Sequence, residues 1–103
     1  MSDTIIVTGV IDLDPAKRDD AIAAALAVME ATRAEEGAVV YTFSADLTDP
    51  GRFHLVEQWA SAEAMEAHSK SAHLAEFMAK MGGFGVTGAS LTKWDGATPS
   101  KLM

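Results

Sequence analysis

The sequence has no cysteine, only three prolines and one tyrosine, and eight basic residues against fifteen acidic ones. Without cysteine there are no disulfides, no thiolate metal or iron–sulfur centres and no cysteine nucleophile, so any metal would rest on His, Asp or Glu. The formal charge of −7 comes without a Lys/Arg cluster anywhere along the chain. That removes the electrostatic footprint of a nucleic-acid or anionic-membrane partner. Long hydrophobic runs are missing too. The opening MSDTIIVTGVIDLD lacks a basic segment, and Thr8, Gly9 and Asp12 interrupt its apolar stretch. It therefore reads as neither a signal peptide nor a membrane span, and a cytoplasmic location is expected.

What is present suits a folded domain. The 103 residues are 49% hydrophobic and 22% charged, enough for one core and too few for two. We expect a single domain over 1–103, with a core at about 4–95 and a loose tail at 96–103. Residues 4–12 read as a strand. Asp14 and Pro15 form a helix start, since an Asp side chain can cap free N–H groups and proline at the first helical position loses nothing. Ile22, Leu26 and Met29 recur with helical spacing until Gly37 ends the helix. Two further strands, 38–47 and 52–60, flank the turn TDPG as a hairpin. Ser61 and Ser71 are candidate caps for two consecutive helices, the second burying Leu74, Phe77, Met78 and Met81. A last strand spans 86–94.

The order strand, helix, strand, strand, helix, strand predicts an α+β fold, the ferredoxin-like split βαββαβ arrangement, with a four-stranded antiparallel sheet and its helices on one face. Strand parity sorts Ile5, Val7, Ile11, Val39, Tyr41, Phe43, Phe53, Leu55 and Trp59 under the helices. The other face, including Ile6, Val10, Val40, Thr42 and Val56, is mixed and nearly uncharged, which predicts a homodimer through packed sheets, a dimeric α+β barrel.

One residue breaks the pattern. Glu57 shares the apolar face with Phe53, Leu55 and Trp59, and a buried carboxylate is costly unless paired or used. His68, on the short helix folding back over that face, is its expected partner, and a carboxylate beside an imidazole can move protons near neutral pH. His73 lies five residues on. Even on one continuous helix it would point about 140° away from His68, so the two are expected to be poor co-ligands and no metal site is expected; His73 is expected at the start of the next helix, in a capping or hinge role. Tyr41, Phe43, Trp59 and Phe77 could wall an apolar pocket suited to a flat aromatic or quinone-like ligand.

The stretch VEQWASAEAMEAHSKSAHLAEF, Val56 to Phe77, resembles the signature of the antibiotic biosynthesis monooxygenase (ABM) domain: a strand ending Glu-x-Trp, a short helix carrying His, and Ser-x-His opening the last helix. EEGAVVYTF at 35–43 fits the same domain. The resemblance implies a ferredoxin-like homodimer with a pocket in each subunit, and oxygen insertion into quinols or polycyclic phenols without flavin or metal. It places Glu57, Trp59 and His68 on pocket positions and His73 on the second histidine. The sequence departs from the family's heme-degrading members, with His68 where they have a pocket tryptophan and Met78 where they have the axial histidine.

The expected function is therefore a cofactor-independent monooxygenase in which His68, assisted by Glu57, deprotonates a phenol or hydroquinone that then reacts with oxygen. Trp59, Tyr41, Phe43, Phe77 and His73 would bind the substrate. The alternatives are an acid–base isomerase or tautomerase of a small carbonyl compound, and a dimeric small-molecule-binding module without catalysis.

Overall fold

A computed structural model describes residues 2–103. Its elements are β1 (Thr4–Asp12), a 3-10 turn (Pro15–Lys17) leading into α1 (Arg18–Arg33), β2 (Ala38–Ala45), β3 (Arg52–Trp59), α2 (Ala62–Ser69), α3 (Ala72–Met81) and β4 (Gly88–Ala97). The four strands form one antiparallel sheet in the order β2-β3-β1-β4, and the helices cover one of its faces. This is the ferredoxin-like α+β fold. No helix among the described residues is long and apolar enough to cross a membrane.

Local chemistry starts and stops each element. Asp14 accepts a hydrogen bond from Ala16 N with Pro15 at the first position of the turn, Ser61 accepts from Ala64 N, and Ser71 accepts from Leu74 N. Each cap satisfies one of the N–H groups that a helix start leaves without a partner. Ser71 also separates α2 from α3, so the histidines at 68 and 73 stand on different helices. Gly37 has φ +81°, and a Cβ there would lie 2.5 Å from the Ala64 Cβ. Only glycine lets the chain turn out of α1 and tuck beneath the start of α2.

In β3 the buried residues are Phe53, Leu55, Glu57 and Trp59, strictly alternating. They pair with β1, Val7 opposite Glu57 and Ile5 opposite Trp59, and with β2, Tyr41 opposite Glu57. Helix α1 buries Ala21, Ala24, Ala25, Val28 and Thr32, a face of small side chains that brings the helix close to the sheet. Leu26, expected inside, is 58% exposed, because the alanine face packs inward in its place. Met78, expected in the buried stripe of α3, is likewise exposed, and Phe77 is the buried residue of that helix. Val39 also departs from the strand parity. Ala38 pairs with Trp59 and Val40 with Gln58, so a bulge leaves Val39 out of the ladder and exposed. The last strand runs to Ala97, past the expected boundary at 94.

Candidate functional site

Three turns of chain converge at the end of the sheet where β3 finishes. Antiparallel pairing sets the start of β2 beside the end of β3, Ala38 opposite Trp59. The segment just before β2, which carries Glu35, therefore lies next to Trp59 and the helix that follows it. The Gly37 turn holds this arrangement, with Ala60 N donating to Gly37 O at 2.9 Å.

Glu57 is 6% exposed, Trp59 0% and His68 4%. The sequence predicted a Glu57–His68 pair, and the structure assigns different partners. Trp59 Nε1 donates to Glu57 Oε1 at 2.9 Å, which gives the buried carboxylate a donor from two residues along its own strand. His68 Nδ1 lies 2.7 Å from Glu35 Oε2. Glu35 arrives from the turn after α1 and had no assigned role in the sequence reading. The rings stack around this contact: His68 on Trp59 at 4.7 Å between centroids, and Tyr41 edge-on to His68 at 5.1 Å. His73, expected to point away, turns back to the same carboxylate, with Nε2 3.4 Å from Glu35 Oε2. His73 stands at the start of α3, as the cap at Ser71 predicts, and the packing of α3 against the turn after α1 brings its ring to Glu35.

Electrostatics follow from burial. Desolvation pushes the Glu57 carboxyl above its ordinary 4.5. The Trp59 N–H and the neighbouring His68 pull it down and Glu35 pushes it up, leaving a net rise. Tyr41 is held protonated by its burial and by the negative charge of Glu57 and Glu35. The linkage sign for Glu57 follows directly. A carboxyl whose folded value is raised contributes stability that is fully present below its unfolded value and lost as pH rises through the folded one. Glu57→Gln keeps an oxygen for the Trp59 N–H and removes this ionisation. In urea unfolding measured as a function of pH, the variant should show a shallower fall in stability than the parent as pH rises above 4.5.

Of the four aromatic residues expected to wall a pocket, Phe43 and Phe77 border a cavity, whereas Tyr41 and Trp59 pack around His68 away from it. An apolar cavity of about 20 Å³ lies between the layers, lined by Phe43, Phe53, Phe77, Met81 and Phe84 among others. It has room for roughly one water. Phe43 links the two regions, 5.9 Å from Tyr41 and 5.3 Å from Phe77 between centroids. His73 and Phe77 also line a groove between α1 and α3. The third histidine, His54, sits apart from this group, with Nε2 2.7 Å from Asp46 Oδ1.

Residues 4–80 match the family described as antibiotic biosynthesis monooxygenase. The chain is 30% identical over 76 residues to YcnE of Bacillus subtilis strain 168, a protein provisionally named a monooxygenase, covering 74% of this chain and 80% of that one. It is 32% identical over 78 residues to the uncharacterized protein sll1783 of Synechocystis, which covers 76% of this chain. The match spans only 53%, about half, of the length of sll1783. Among solved structures, a Deinococcus radiodurans protein provisionally described as an antibiotic biosynthesis monooxygenase superposes with a TM-score of 0.87 at 23% identity, covering 96% of this chain and 98% of that one. A conserved Bacteroides thetaiotaomicron protein of unknown function gives 0.83 at 25% identity, covering 92% and 99%. The structural likeness is one of fold. With three quarters of its length matched and its fold shared end to end, the chain belongs to the antibiotic biosynthesis monooxygenase family.

Proposed function

We propose that the protein is a monooxygenase of small electron-rich aromatic hydroxyl compounds, a quinol or a polycyclic phenol, with His68 as the base. The observation that carries this reading is the 2.7 Å contact between Nδ1 of the buried His68 and Oε2 of the half-buried Glu35. A carboxylate at Nδ1 holds the proton on that nitrogen and leaves the Nε2 lone pair to accept one from a substrate hydroxyl. Glu35 then stabilises the imidazolium that results. This is a revision in residue roles: Glu35 orients the base, and Glu57, bound to Trp59, contributes negative charge nearby.

Deprotonation turns the phenol into an electron-rich anion that can reduce oxygen. For a hydroquinone the balance is one substrate and one O2 giving a hydroxyquinone and one water. The substrate supplies all four electrons, one oxygen atom enters the ring, and the other leaves as water. Tyr41, Trp59, Phe43 and Phe77 would hold the ring flat and keep water out, which strengthens proton transfer among the buried groups. A one-ring substrate needs more room than the cavity offers.

The same reading includes a homodimer. The uncovered sheet face carries Ile6, Val10 and Val40 with Val56 and Trp94, the last two 45% and 56% exposed, and apolar area of this kind on an open sheet favours a second sheet over water.

Oxygen consumption by the purified protein with a panel of hydroquinones and anthrones tests the proposal. Saturable uptake with at least one class is expected. Turnover of a panel compound that persists without oxygen would replace the proposal with a tautomerase or isomerase reading, and no turnover of any kind across the panel would remove its substrate class.

A further inference from the structure

We infer that Glu35, His68 and His73 form a binding site for a divalent transition-metal cation of the zinc, cobalt, nickel or ferrous type. The three residues come from the turn after α1, the last turn of α2 and the first turn of α3, so the site exists only where these three elements meet. Their ligand atoms, one from each residue, all lie within 4.8 Å of one another. Glu35 Oε2 is 2.7 Å from His68 Nδ1 and 3.4 Å from His73 Nε2. Ligands about 2.1 Å from a tetrahedral ion stand about 3.4 Å apart, so the Glu35–His73 separation already matches a site around a metal, and the shorter Glu35–His68 contact, a hydrogen bond in the metal-free chain, would open to admit the ion. The two imidazoles, on helices that meet at Ser71, would approach each other as the ion enters.

A second observation is independent of this spacing. His73 Nε2 is buried and has no hydrogen-bond partner among the described residues, although it lies near the Glu35 oxygen. Buried ring nitrogens are rarely left unpaired, and one that is calls for an explanation. A cation shared with Glu35 supplies that nitrogen with a partner.

The donor set determines which ions fit. Two imidazoles and one carboxylate suit borderline d-block cations and leave a coordination position open for water or another ligand. Magnesium and calcium prefer shells of oxygen and gain little from imidazole. The inference is separate from the oxygenase reading: a cation on His68 Nδ1 takes the place of the proton that Glu35 holds there in the metal-free base, and binding can be measured without turnover.

Isothermal titration of the metal-free full chain with zinc chloride, with and without excess magnesium, is the test. One zinc ion per chain is expected, unaffected by magnesium. His73→Ala, His73→Gln and Glu35→Gln should each weaken binding at least tenfold with helix content retained by circular dichroism. His54→Ala, which touches none of the three ligands, should leave binding unchanged. The site would be overturned by absence of saturable zinc binding, by displacement of zinc by magnesium, by insensitivity to both His73 variants, or by an equal loss in His54→Ala.

Discussion

His68→Ala should lower oxygen-dependent turnover by about 10²–10⁴-fold, the usual contribution of a positioned general base, while the sheet and helices persist. The imidazole is 4% exposed and sits on Trp59, so its removal leaves a hole shaped to an imidazole ring. Two consequences separate a chemical role from a structural one. Added imidazole should restore part of the lost rate by occupying that hole, and the loss should fall mainly on kcat. Glu35→Gln should then give a smaller loss, because the amide still holds the ring in place but no longer stabilises its charged form. Oxygen-electrode kinetics on the three proteins, with circular dichroism as the check on folding, measure all of this. A His68→Ala protein that consumes oxygen at the parent's rate would remove His68 from the mechanism.

Trp59→Ala should cost about 3–5 kcal/mol of stability, the range for removing a large buried aromatic. Trp59 is 0% exposed and holds three groups together. Its indole stacks on His68, it lies 6.3 Å from Tyr41 between ring centroids, and its N–H is the donor to Glu57 Oε1. The alanine variant therefore opens a cavity and strands a buried carboxylate in one step. Trp59→Phe separates the two effects. It keeps one six-membered ring and loses the donor together with part of the indole, the lost donor alone accounting for about 1–3 kcal/mol. The deficit should be larger at neutral pH than in acid, where a protonated Glu57 no longer needs a charge-stabilising partner. Urea unfolding of both variants at two pH values makes the comparison. A loss below about 1 kcal/mol for Trp59→Ala would contradict this role, given the tail of large effects reserved for such sites.

The legible part of this molecule was the part governed by local period and capping. Alternation through Phe53, Leu55, Glu57 and Trp59 places the glutamate inside, and the side-chain caps at Asp14, Ser61 and Ser71 start their helices where the sequence says they should. The illegible part depended on tertiary pairing. Glu35 reads as one of two solvent-facing acids at a helix end, and only the register of β2 against β3 brings it to Trp59 and α2. A signal was available: in a tight hairpin, residues just before the first strand lie beside residues just after the second. The place of His73 at the start of α3 was legible from the Ser71 cap, but its contact with Glu35 was not, because that carboxylate comes from the turn after α1. On α1 the alanines at 21, 24 and 25 are buried and Ile22 and Met29 pack against the core, as the helical spacing predicts, and Leu26 alone of the stripe faces out. A single bulge moved Val39 to the surface.

The most direct measurement follows the fate of both atoms of isotopically labelled dioxygen during turnover of a hydroquinone or anthrone that the protein consumes. A product carrying one labelled oxygen per molecule, with the other in water, is the expected result, and the label should disappear from product in step with the rate in His68→Ala. Product formed without label, or labelled equally well by the His68→Ala protein, would contradict the assignment of this site to base-assisted oxygenation.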